Sequence, residues 1–158
     1  MKIALGADHA GYELKEKIKQ HLREQGIDHK DEGTTSTESV DYPDFARLVA
    51  HDVSEHRTDL GILVCGSGIG MAITANKIPG VRAANVSSEY EAQMSREHND
   101  ANVLALGARI LNQDQACKIV DTWIATRFAG GRHERRVEKI MEIEKQELRD
   151  SLTATRNS

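Results

Sequence analysis

Between Leu60 and Met71 an apolar run ends in a cysteine and passes at once into three glycines at alternate positions, Gly66, Gly68 and Gly70. Residues 60–64 carry no polar side chain and read as a buried strand. A helix-like segment follows over 71–77. Glycines let a backbone approach a ligand closely and aim its N–H groups at it. A helix N-terminus adds partial positive charge at the same place. Cys65 would then stand as a nucleophile or base beside an anion cradle. The same letters also fit a tight strand-to-helix turn with an inert buried cysteine.

Known glycine motifs fit poorly. A dinucleotide fingerprint needs G-x-G-x-x-G, and here the third glycine comes one residue early. A Walker A loop needs Gly-Lys-Ser/Thr, which is missing. A cysteine phosphatase loop needs arginine six residues after the cysteine, and that residue is Met71.

The rest of the chain alternates in the same way. Strands are predicted over 2–6, 27–30, 60–65, 81–86 and 102–107. Leu14, Ile18 and Leu22 share one helix face, with Gly26 as its stop. Pro43 and Asp44 mark a helix start whose buried stripe is Phe45, Leu48, Val49 and Val53. Residues 89–97 form another helix. Asn112 can cap a helix with Ile119, Val120, Trp123 and Phe128 on one face. Gly130-Gly131 breaks the chain, and a charged helix over 132–148 follows. This βα order predicts an α/β fold: a three-layer, Rossmann-like or flavodoxin-like five-stranded parallel sheet with an extended C-terminal helix. Residues 1–150 form one domain of ordinary size, and 151–158 read as a polar, frayed tail.

A chain of 158 residues with 39% hydrophobic and 29% charged content is ordinary globular material. A net charge of −4 without a basic stripe argues against nucleic acid as partner. No segment approaches membrane-spanning length, and the first apolar stretch is too short for a signal peptide, so the expectation is a cytoplasmic protein. The two cysteines, Cys65 and Cys117, form no C-x-x-C, and no disulfide is expected. Cys117 falls in a helical pattern and reads as packing.

Ligands in parallel sheets bind beyond the carboxyl ends of the strands. Asp8 and His9 follow the first strand there. They fit an N-cap beside a surface histidine, or groups that hydrogen-bond a sugar or a phosphate. His98 and Asn99 close a helix, where histidine suits the dipole and also suits proton transfer near neutral pH. Arg132 and Arg136 share a helix face and could grip a phosphate bidentately, or belong to a solvated charged helix. Arg109, just past the fifth strand, is a third phosphate candidate. Asp8, His9 and His98 could in principle hold a metal, but the histidines show no H-x-x-x-H or H-E-x-x-H spacing, and no metal is expected.

Taken together, Gly6-Ala7-Asp8-His9-Ala10-Gly11, Asp41-Tyr42-Pro43, Cys65-Gly66-Ser67-Gly68-Ile69-Gly70, Ala75-Asn76-Lys77, the stretch from Ser95 to Asn102 and Gly130-Gly131-Arg132-His133 resemble the type B ribose-5-phosphate isomerase family. That group also holds galactose-6-phosphate and allose-6-phosphate isomerases. The resemblance runs from Met1 to about Glu147. It implies metal-free, cofactor-free interconversion of ribose 5-phosphate and ribulose 5-phosphate in the non-oxidative pentose phosphate pathway. By resemblance His98 opens the sugar ring. Cys65 takes the C2 proton, gives a cis-enediolate and returns the proton to C1. The N–H groups of Gly66, Ser67, Gly68, Ile69 and Gly70 hold the oxyanion. Asp8 and Asn99 orient hydroxyls, and His9, Arg109, Arg132 and Arg136 take the phosphate.

Some members carry serine at the cysteine position and a glutamate base four residues on. That later position is Ile69 here, so the chain resembles the cysteine type. Ser67 stands where many of those have threonine, and it is near enough in sequence to hydrogen-bond the sulfur. The family forms dimers or tetramers with sites shared between subunits. A hexose 6-phosphate isomerase, or a phosphosugar-binding regulatory module without turnover, are the alternative expectations.

Overall fold

The computed structural model describes residues 1–156. Along the chain run β1 (Lys2–Ala7), α1 (Tyr12–Glu24), β2 (Asp28–Asp31), α2 (Tyr42–Ser54), β3 (Leu60–Cys65), α3 (Ile69–Ala75), β4 (Ala83–Asn85), α4 (Glu89–Asn99), β5 (Val103–Gly107), α5 (Gln113–Ala125) and α6 (Arg132–Arg156). The strands pair in the order β2-β1-β3-β5-β4, and every pairing is parallel. This is the expected α/β architecture. Relative to the flavodoxin order 2-1-3-4-5 the last two strands are exchanged, which puts the short β4 at an edge.

Side chains alternate between the two faces of the sheet. Ile3 and Leu5 of β1 and Ile62 and Val64 of β3 meet Leu14, Ile18, Val120 and Trp123 of α1 and α5. Ala4, Leu63 and Cys65 face the other way, toward Val49, Val53 and Met71 of α2 and α3. On that side α2 lies directly on glycine backbone. A Cβ on Gly61 would stand 2.6 Å from Val49 Cγ1, and one on Gly6 2.8 Å from Val49 Cγ2.

That close approach corrects the predicted α2 stripe. Ala46, Val49, Ala50 and Val53 make the buried face, Phe45 is half-buried, and Leu48 is turned out, 40% exposed. Small residues win the contact because the helix axis is so near the sheet. Phe128 is also displaced: α5 stops at Ala125, Thr126 is extended, and Phe128 lies half-buried beyond the helix. The predicted frayed tail is helical as far as Arg156. Residues 151–156 contain no glycine or proline, and Thr153 Oγ1 bonds the Arg149 carbonyl at 3.0 Å. Residues 157–158 lie outside the described residues. No helix among the described residues is long and apolar enough to cross a membrane.

Beneath α1, Lys15 is fully buried and donates to both Asp31 oxygens at 2.7 and 2.8 Å. Burial raises the pKa of Asp31, but hydrogen bonds from Lys15, Lys19 and the Gly33 N–H more than reverse this, and the carboxyl sits below its ordinary value. Asp52 of α2 behaves alike: burial raises it, and the bonds from Lys30 and Arg57 help bring it below normal. A depressed carboxylate contributes stability above its unfolded pKa and loses it as pH falls toward the folded value. The contribution of these two carboxylates to the urea midpoint is therefore expected to hold steady from neutral pH to about pH 5. That contribution then drops as pH falls through the ordinary value of 3.8 for both groups. The Asp31→Asn variant should show a shallower drop, read in urea titrations at stepped pH.

Candidate active site

Cys65 ends β3, 5% exposed, with its side chain toward α2 and α3. The chain then turns through Gly68, whose φ of +81° is the left-handed region that glycine occupies without strain. This turn brings the Gly68 N–H onto Cys65 Sγ at 3.1 Å. The hydroxyl expected to reach the sulfur does something else. Ser67 Oγ accepts from the Ile69 N–H at 3.2 Å. The turn directs the N–H three residues on back at the strand end and leaves the serine on the outer rim.

Neighbouring loops close around this turn. The Arg109 N–H bonds the Gly66 carbonyl at 3.0 Å, and its guanidinium lies against Gly66, where a Cβ would come 3.0 Å from Nη1. The Tyr42 ring covers Gly70, where a Cβ would come 2.7 Å from two ring carbons. From the β1 side, the Asp8 N–H bonds the Val64 carbonyl at 3.2 Å. The Asp8 carboxylate is buried and accepts from the Gly11 N–H at 3.0 Å. His9 Nδ1 accepts from the Val40 N–H at 3.2 Å, which leaves Nε2 as the protonated nitrogen of the neutral ring. So Asp8, His9, Cys65, Gly66, Ser67, Gly68, Ile69, Gly70 and Arg109 gather at the carboxyl ends of β1, β3 and β5.

The remaining candidates lie elsewhere. Cys65 pairs with Gly107 at the far end of β5, whereas α4 ends at Asn99, just before β5 begins at Val103. His98 and Asn99 are therefore separated from Cys65 by the length of a five-residue strand or more, roughly 15 Å. The ring of His98 stacks on that of His133, centroids 4.1 Å apart and 7° from parallel. The Ala129 N–H bonds the Glu97 carbonyl at 3.0 Å, which draws the start of α6 to the end of α4. Arg132 and Arg136 are exposed there and make no ion pair among the described residues. The Asn99 carbonyl accepts from Arg82 Nε at 3.1 Å. His133 is held below its ordinary pKa, by desolvation first and then by His98, Arg132 and Arg136. Each of these neighbours favours its neutral ring.

Within one chain the candidate set thus falls into two halves at opposite ends of the sheet. Sequence reasoning assigned no role to His133, although it belongs to the Gly130-Gly131-Arg132-His133 motif. Tyr42 belongs to the Asp41-Tyr42-Pro43 motif, but its place over Gly70 is a through-space contact that the sequence does not reveal. Among the described residues no three His, Cys, Asp or Glu side chains converge as a metal site would require.

Residues 3–140 match the Ribose/Galactose Isomerase family. The chain belongs to that family. It is 50% identical over 143 residues to ribose-5-phosphate isomerase B of Escherichia coli, covering 90% of this chain and 96% of the relative. Among solved structures, the ribose-5-phosphate isomerase B of Clostridium thermocellum superposes with a TM-score of 0.91 at 54% identity, over 92% of this chain and 99% of that one. The Mycoplasma genitalium enzyme, whose structure holds ribulose 5-phosphate, superposes with a TM-score of 0.88 at 43% identity, over 91% and 96% of the two chains.

Proposed function

We propose that this protein interconverts D-ribose 5-phosphate and D-ribulose 5-phosphate, as a cytoplasmic enzyme of the non-oxidative pentose phosphate pathway. The observation that carries the reading is the Gly68 N–H on Cys65 Sγ inside a glycine turn, in a chain of this family. An N–H on sulfur favours the thiolate, the form able to act as a base. Cys65 removes the proton from C2 of the open aldose as the C1 carbonyl oxygen takes up charge. The resulting cis-enediolate has its negative oxygen at the cradle N–H groups of Gly66, Ser67 and Gly70, since those of Gly68 and Ile69 are engaged by Cys65 Sγ and Ser67 Oγ. The proton returns to C1 while the C2 hydroxyl passes its own to the C1 oxygen, and the ketose forms. His98 opens the ring beforehand, with its plane fixed by His133. The scheme uses no metal and no cofactor.

The reading requires a second copy. One chain cannot bring Cys65 and His98 to the same sugar, but a homodimer or homotetramer can set the carboxyl-end half of one subunit against the His98 half of another. Two observations support that assembly. Beside the cradle, Ile69 and Ile73 are 54% and 58% exposed. On α6, a 25-residue helix with no buried residue, Ile140, Ile143 and Leu148 border a groove of about 770 Å³ along β4 and α4. Large apolar side chains left bare in one chain mark surfaces that a partner covers.

Arg132 and Arg136 would hold the phosphate, which binds alike in substrate and transition state. Arg132→Ala and Arg136→Ala are each expected to raise KM for ribose 5-phosphate about tenfold or more, with kcat little changed. Steady-state kinetics read this directly, and an unchanged KM in both would remove the assignment. The function itself is tested by turnover of ribose 5-phosphate before and after thiol alkylation, with allose 6-phosphate and galactose 6-phosphate in parallel. Turnover of the pentose that alkylation abolishes is expected. Activity confined to a hexose phosphate would move the substrate, and binding without turnover would point to a regulatory module.

A further inference from the structure

The peptide joining Ser67 to Gly68 is held at both ends. Its N–H donates to Cys65 Sγ at 3.1 Å, and its carbonyl oxygen accepts from Asn85 Nδ2 at 3.2 Å. Asn85 is the last residue of β4. The same Nδ2 also donates to the Ala105 carbonyl of β5 at 3.1 Å. Both partners are carbonyl oxygens, so only the NH2 side of the amide can face them, and its two hydrogens are both engaged. The peptide is trans, because the one cis bond among the described residues is Gly33–Thr34. In a trans peptide the C=O and N–H point in opposite directions. Fixing the oxygen on Asn85 therefore fixes the hydrogen toward the sulfur. A flipped peptide would aim carbonyl lone pairs at the sulfur instead.

The fit around this peptide leaves no slack. A Cβ on Gly68 would stand 2.3 Å from Asn85 Nδ2, and one on Gly107 would stand 2.8 Å from the Ser67 oxygen. The turn thus lies flat on β5, with the Asn85 amide as its staple. Hydrogen bonds in series polarise one another, so a donor on the oxygen end strengthens the N–H at the other end.

We propose that Asn85 is a positioning residue for Cys65: acting through the Ser67–Gly68 peptide, it holds and polarises the N–H that stabilises the thiolate. It touches no reacting atom. The importance of this for turnover rests on the reading of Cys65 as the base. The other charged groups at the turn are Arg109 over Gly66 and Asp8 at the Gly11 N–H. Neither belongs to the Asn85 chain of contacts.

The test uses a Cys117→Ser parent, in which Cys65 is the one remaining thiol. Asn85→Leu removes both donors at similar size. Asn85→Asp keeps the shape and offers acceptors where donors are needed. In both, alkylation of Cys65 by iodoacetamide at neutral pH is expected to slow about fivefold, the effect of one lost hydrogen bond, with a matching fall in thiolate ultraviolet absorbance. In turnover assays kcat should fall while KM stays within about twofold. A purely structural staple predicts the opposite sign, because a loosened turn would open a thiol that is only 5% exposed and speed its alkylation. Unchanged or faster alkylation in both variants would overturn the inference. Alkylation needs no substrate, so a parent that failed to turn over ribose 5-phosphate would remove the isomerase reading and leave this result decisive.

Discussion

Cys65→Ala is expected to lower kcat on ribose 5-phosphate about a thousandfold while KM changes little. Nothing else in the turn can take the proton. The surrounding loop supplies N–H donors, the Ser67 hydroxyl is engaged by the Ile69 N–H at 3.2 Å, and residue 69 carries no carboxylate. The groups proposed for the phosphate are other side chains, so binding should survive. The experiment is steady-state kinetics beside exchange of the C2 hydrogen in deuterated water. Both signals should vanish together. A variant that keeps more than about a tenth of parental kcat would end the role of Cys65 as the base.

Mixing two inactive variants is expected to restore activity. If each site takes Cys65 from one subunit and His98 from another, Cys65→Ala and His98→Asn proteins are both inactive alone. In a mixed two-fold dimer, one site receives both damaged halves and the other receives two intact ones. Random subunit exchange should then recover about a quarter of parental activity. Assays after stepwise denaturation and refolding of the mixture, with each variant refolded alone as a control, read this out. If the mixture stays as inactive as its components while subunits demonstrably exchange, the shared site is wrong.

The centre of the sheet was readable in the sequence because β1, β3 and β5 are nearly pure apolar runs. Leu60 to Cys65 coincides with β3, and the cap predicted at Asn112 is present, with Asn112 Oδ1 accepting from the Gln115 N–H at 2.9 Å. What failed depended on distances between elements. Leu48 satisfies a helical period, yet the nearness of α2 to Gly6 and Gly61 gives the face to smaller residues. The tail was judged by polarity, whereas helix continuation followed from its lack of helix breakers. The division of the site was available in principle. In a parallel βα order, loops after strands and loops after helices must lie at opposite ends, which sets Cys65 against His98. His133 and Asn85 were not available, because a ring stack and an amide staple are contacts between segments distant in sequence.

The donors that would hold the enediolate are main-chain amides, set in place by glycine geometry and one staple. Amides do not ionise in the range where proteins stay folded. An oxyanion holder built this way keeps the same strength in mildly acid and mildly alkaline medium, where a ring of histidines would wax and wane. The response of the reaction to pH is then left to the few side chains that carry protons or grip the phosphate. Those can be retuned one substitution at a time without rebuilding the cradle.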